Sequence, residues 1–121
     1  MVSEHQHQCA LISWWKIAHK TFGLPEYALL AIPNGGHRHK AVAAKMKAEG
    51  VRRGILDLCL PVSRNGYHAL WIEMKAGKNK PTPEQIEFIK WQEEEGYKCV
   101  VCYDWMDARA EIERYLAHQD V

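Results

Sequence analysis

The chain has 121 residues, a formal net charge of +1, and 47% hydrophobic against 26% charged residues. That length suits one domain spanning residues 1–121, large enough to bury a core and too short for two ordinary ones. The balance excludes a disordered chain, no apolar run nears the roughly 20 residues that cross a bilayer, and Met1-Val2-Ser3-Glu4-His5 lacks the basic-then-apolar order of a leader.

Ser3-Glu4-His5-Gln6 matches a capping box, and Leu11, Trp14, Trp15, Ala18 and Phe22 then recur at helical spacing up to Gly23-Leu24-Pro25. This predicts a first amphipathic helix. Glu4, Gln8, Leu11 and Trp15 form one stripe on it, so Glu4 and Gln8 extend the core-facing side to a polar rim. Tyr27 to Ile32 reads as a short buried strand closed by Pro33-Asn34-Gly35-Gly36. A second helix from about His39 to Glu49 follows, with Gly50 as its stop. Ile55 to Leu60 is the next strand, and Asn65-Gly66 supplies a hairpin turn into a strand from Tyr67 to Lys75. Thr82-Pro83-Glu84-Gln85 opens a helix with an N-cap threonine, a proline at its first position and a capping-box glutamine. That helix stops near Gly96, and Tyr97 to Tyr103 returns as a strand parallel to the previous one, because a helix connects them. Asp107 opens a last helix with Ala108, Ile112, Tyr115 and Leu116 on its apolar side. The order predicts an α/β fold, a mixed sheet with helices packed on it.

Cys9, Cys59, Cys99 and Cys102 read as reduced core residues. Cys99 and Cys102 form a CxxC, but on a strand residues three apart face opposite sides, which argues against a redox or zinc pair. The five tryptophans read as core or subunit contacts rather than base-stacking platforms.

Charge is distributed unevenly. Between His37 and Arg53 the chain carries Arg38, Lys40, Lys45, Lys47, Arg52 and Arg53 against the single acid Glu49. Such an excess suits a polyanion, with a solvated helix face as the plain alternative. Arg38, Lys40, Arg52 and Arg53, together with Lys78 in the loop after the hairpin, are the candidate phosphate contacts.

Charges inside apolar strands point to chemistry. Asp57 lies in Ile55 to Leu60, and Glu73 and Lys75 close the strand Leu70-Trp71-Ile72-Glu73-Met74-Lys75. Alternation puts Glu73 and Lys75 on one face with Leu70, Ile72 and Met74 on the other, and the hairpin lets Asp57 approach Glu73. Two carboxylates with no histidine or cysteine set favour a hard cation, Mg²⁺ or Mn²⁺, with the Met74 carbonyl as a further ligand. Lys75 is placed to hold water or offset charge on a phosphate. The plain alternative is a salt bridge at a strand end.

The ordered set Gly54-Ile55-Leu56-Asp57-Leu58, Ile72-Glu73-Met74-Lys75 and Thr82-Pro83-Glu84-Gln85 resembles the PD-(D/E)XK nuclease superfamily, and within it the VRR-NUC branch. Glu4 with Gln8, Ile32-Pro33-Asn34-Gly35-Gly36, Glu49-Gly50-Val51-Arg52-Arg53-Gly54 and Gly96 extend the likeness over residues 4 to 116. The resemblance implies a restriction-endonuclease-like αβββαβ core, Mg²⁺ or Mn²⁺ without a nucleotide cofactor, and cleavage of branched DNA such as Holliday junctions or flaps. It makes Asp57, Glu73 and Lys75 the motif residues and Glu4 and Gln85 accessory active-site residues. Gln85 can equally be satisfied as a helix cap, and Glu4 by the dipole of its own helix. Leu56 departs from the proline usual before the aspartate. Stand-alone members resemble phage proteins that dimerise like junction resolvases, which implies a homodimer in the cytoplasm of a bacterial host. Two other classes fit the same residues: a DNA-binding or assembly module without activity, and an RNA-directed nuclease.

Overall fold

In the computed structural model, which describes residues 1–33 and 39–117, the first helix, α1 (Glu4–Ala18), starts where its capping signals place it. The Ser3 hydroxyl accepts from the Gln6 amide at 3.1 Å and the Gln6 side chain accepts from the Ser3 amide at 2.9 Å. A 3₁₀ turn, His19–Phe22, extends it to Gly23, whose φ of 69° reverses the chain. Leu11 and Trp15 are fully buried, and the Trp15 indole donates to the Glu26 carbonyl at 2.8 Å.

The strand expected over Tyr27 to Ile32 is corrected here. Glu26–Ala28 is a 3₁₀ turn, and only Leu30–Ala31 pairs as β1, with both residues exposed. Ala28 and Leu29 supply the burial that the apolar run suggested. Helix α2 (Lys40–Ala48) contains no buried residue. Strand β2 (Leu58–Leu60) is wholly buried, and β3 (Leu70–Met74) follows through the Arg64–Tyr67 turn. Asn65 and Gly66 take φ of 51° and 82° there, the left-handed pair that an Asn-Gly hairpin turn requires. Helix α3 (Pro83–Glu94), strand β4 (Lys98–Cys102) and helix α4 (Trp105–Ala117) complete the order. Helix α4 starts two residues before Asp107, because the Asp104 carboxylate accepts from the Asp107 amide at 2.8 Å and caps it.

The sheet order is β1-β2-β3-β4, antiparallel except for the parallel β3–β4 pair that α3 connects. The mixed α/β architecture is therefore the expected one. Alternation gives the sheet two unlike faces. Leu58, Leu60, Leu70, Ile72 and Met74 pack with Leu11 and Trp15 of α1 and Ala108, Ile112 and Leu116 of α4 in one core. Burying each such aliphatic side chain stabilises the fold by roughly 1.5–3 kcal/mol. The other face carries Trp71, Glu73 and Lys75 under α3, where the Trp71 indole donates to Gln92 at 2.8 Å and its ring meets Phe88 edge-on.

The reading of all four cysteines as core residues needs amendment. Cys59 and Cys102 are buried, but Cys9 is exposed on α1 rather than in the core. Trp15 is buried and Trp14, Trp71 and Trp105 partly so, whereas Trp91 is 55% exposed.

Candidate active site

Residue identity and strand register together build the site. Leu58 pairs with Ile72, so the antiparallel ladder carries Asp57 opposite Glu73 one step further on. Their groups then interlock. The Asp57 amide donates to Glu73 Oε1 at 3.1 Å, and Asp57 Oδ2 accepts from the Met74 amide at 2.9 Å. In a strand the amide and carbonyl of one residue point to the same side, so the Met74 carbonyl also faces Asp57's side of β3.

Lys75 lies on Glu73's face, as alternation predicts, with Nζ 3.1 Å from Glu73 Oε2. Glu73 is 2% exposed and Lys75 8%, so this is not the surface pair of the plain alternative. A buried pair needs further hydrogen bonds to offset its lost hydration. Gln85 supplies one: its Nε2 donates to Glu73 Oε2 at 2.7 Å. Its Oε1 meanwhile accepts from the Thr82 amide at 3.0 Å, and Thr82 Oγ1 accepts from the Gln85 amide at 3.2 Å. Gln85 is thus both helix cap and partner of Glu73, a combination that only its two-ended amide permits.

The approach of α3 to the strand lead-in depends on Gly54. Its φ is +85°, and a Cβ there would sit 2.7 Å from Glu84 Cβ. No side chain fits between the residues before Asp57 and the start of the Gln85 helix. Arg52 and Arg53, both exposed, therefore lie within two residues of that contact.

Charge on the two carboxylates is poorly compensated. Burial first, and then the Asp57 charge, pushes the Glu73 carboxyl up to about 7, while Lys75 and Gln85 pull it down. Burial likewise raises Asp57, and the Glu4 charge adds to that, against the lowering effect of the Met74 amide. Two acids facing one ammonium leave a negative centre suited to a cation. Asp57, Glu73 and the Met74 carbonyl present hard oxygen donors, the chemistry of Mg²⁺ or Mn²⁺. Among the described residues no group of three or more His, Cys, Asp or Glu side chains gathers as a metal cluster. Two carboxylates would leave most of the shell of a magnesium-type ion to water or other oxygen ligands. Burial raises the thiols of Cys59, Cys99 and Cys102 to about 11, 12 and 12, which keeps them protonated at neutral pH.

Glu4 stands at the mouth. It lines an open groove of roughly 620 Å³ together with Gln8 and Asp57, and its carboxylate accepts from Asn79 Nδ2 at 3.0 Å. Sequence reading missed Asn79, for which 75 residues of separation leave no local signal. Lys40 and Lys78 are exposed, on the first turn of α2 and in the loop beyond Lys75. Arg38 lies outside the described residues.

Comparison with known proteins bears on the fold. A family model described as the VRR-NUC domain matches residues 2–105. A solved structure titled VRR_NUC domain protein is similar to the chain at 32% identity, with 98% of this chain and 93% of that one covered and a TM-score of 0.80. No curated protein matches.

Proposed function

The chain belongs to the VRR-NUC family and has its nuclease-type fold, and on that premise we propose that it is a divalent-metal-dependent, structure-selective DNA endonuclease. The carrying observation is the meeting of Asp57 and Glu73 across the β2–β3 end, with Lys75 and Gln85 both on Glu73 Oε2.

In this reading Asp57, Glu73 and the Met74 carbonyl would hold Mg²⁺ or Mn²⁺. The ion, when bound, polarises a phosphoryl oxygen and lowers the pKa of bound water. The protein's own groups do the rest. Lys75 offers an ammonium beside the phosphate, where negative charge builds during attack. Gln85 fixes the Glu73 carboxylate by holding one oxygen while the Asp57 amide holds the other. Both oxygens are thereby oriented before substrate arrives, which spares reorganisation in the transition state. Glu4 adds negative charge at the mouth and is steadied by Asn79. Lys40, Arg52, Arg53 and Lys78, with Arg38, would hold the DNA backbone.

The proposal extends to a homodimer acting on Holliday junctions or flaps, since a two-fold assembly presents paired sites to paired strands. One cleavage assay tests it. Linear duplex, flap, four-way junction and RNA are incubated with Mg²⁺ or Mn²⁺, and the molar mass of the protein is measured by light scattering. Preferential cutting of a branched DNA by a dimer is the expected result. Tight binding to branched DNA with no cutting would identify a binding module instead, and preference for RNA would reassign the substrate.

A further inference from the structure

We infer that the outer face of α1 is the track along which one strand of the substrate leaves the cleavage site, with Lys16 as its distal phosphate contact. This rests on the nuclease reading and adds a binding surface to it.

The groove that begins at Asp57 and Glu4 runs along α1 past His5, Cys9 and Ile12 to Lys16, with Ile32 and Pro33 on its other wall. His5, Cys9, Ile12 and Lys16 stand at offsets of four, seven and eleven, one helical stripe beside the core-facing stripe of Leu11 and Trp15. The wall is tied to the site itself, because the Ile32 amide donates to the Asp57 carbonyl at 2.8 Å.

Chemistry along this path suits a nucleic-acid strand. Gln8, Ser13 and Lys16 commit their side chains to no hydrogen bond or ion pair among the described residues, so all three are open to a ligand lying in the groove. Ile12, Ile32 and Pro33 supply apolar surface for sugars and bases between the polar groups. Charge also changes sign along the groove, from Asp57 and Glu4 at the site to Lys16 at the far end. A metal at the acidic end and an ammonium at the basic end would each engage the same phosphate backbone. From Glu4 to Lys16 the helix rises about 18 Å at roughly 1.5 Å per residue. At roughly 3.4 Å per nucleotide of B-form DNA, that distance spans about five nucleotides from the cut.

The test measures binding of a labelled four-way junction in Ca²⁺ over a range of salt for the wild type, Lys16→Ala, Lys16→Glu and a control, Lys90→Glu on α3. Lys16→Ala is expected to lower the slope of log affinity against log salt by about 0.7–0.9, the value of one lost phosphate contact. Lys16→Glu should weaken binding about tenfold at low salt, with the control within twofold of wild type. Exposed Cys9 supplies an independent reporter, since the other thiols are buried or partly buried. Saturating DNA should slow its alkylation. Unchanged affinity and salt slope in Lys16→Glu, or alkylation of Cys9 as fast with DNA as without, would overturn the track while leaving the nuclease reading intact. A wild-type protein that binds no junction would overturn both.

Discussion

Replacing Gln85 with leucine separates its two roles, because the structure assigns each end of the amide to a different partner. The Oε1 end accepts from the Thr82 amide and the Nε2 end donates to Glu73 Oε2. Loss of a cap costs about 1 kcal/mol, and loss of a hydrogen bond to a charged acceptor about 1.5–3 kcal/mol. Gln85→Leu should therefore cost about 3 kcal/mol at pH 8, where Glu73 is largely ionised. The Glu73 carboxyl is raised to about 7, so at pH 5 it is mostly protonated. The bond lost there is neutral, and the cost should fall by about 1 kcal/mol or more. Thr82→Ala, which removes the hydroxyl that accepts from the Gln85 amide, should cost about 1 kcal/mol at both pH values. Urea unfolding of the three proteins at pH 5 and pH 8 measures all of this. Equal, pH-independent losses in Gln85→Leu and Thr82→Ala would show that Gln85 is only a cap and would refute its part in the site.

Stability of the wild type should also fall as pH rises from about 4.5 to about 7, since the native Glu73 holds its proton where the unfolded chain has released it. Glu73→Gln should flatten that decline, and Mn²⁺ should raise the melting temperature more at pH 8 than at pH 5, because ion and proton compete for the same oxygens. Gly54→Ala should destabilise by about 3 kcal/mol through its strained backbone and the clash with Glu84, visible as a lowered urea midpoint. Arg52→Ala with Arg53→Ala should weaken DNA binding across all substrates and reduce its salt slope by about 1.4–1.8, read by titration at several salt concentrations.

What the sequence made legible was local chemistry. The capping boxes at Ser3 and Thr82 and the Asn65-Gly66 turn each need only a few adjacent residues, and all three formed as expected. The core of the site was legible because an acid and a lysine two apart in an apolar strand must share a face, and a tight hairpin must bring the preceding strand alongside. The first strand was misjudged because an apolar run of six does not separate a buried strand from a 3₁₀ turn followed by a short edge pair. Tyr27, at 79% exposed, shows that hydrophobicity alone misplaced it. Helix α2 was readable as a helix, and its lack of fully buried residues fits the solvated face that its lysines and alanines allowed. The links Gln85 to Glu73 and Asn79 to Glu4 join distant segments, and Gly54 meets Glu84 only because the fold closes there. Gln85 came from family resemblance; Asn79 had no signal at all.

The paired acids Asp57 and Glu73 are proposed to form a cation-dependent cleavage centre. Its most direct test incubates an end-labelled four-way junction with wild type and Glu73→Gln, in Mg²⁺, Mn²⁺ and excess chelator, alongside binding of the same junction in Ca²⁺. Cleavage by the wild type only with added metal is expected, with a loss of at least about a hundredfold in Glu73→Gln while binding persists. Undiminished cleavage by Glu73→Gln, or cleavage by the wild type in chelator, would contradict it.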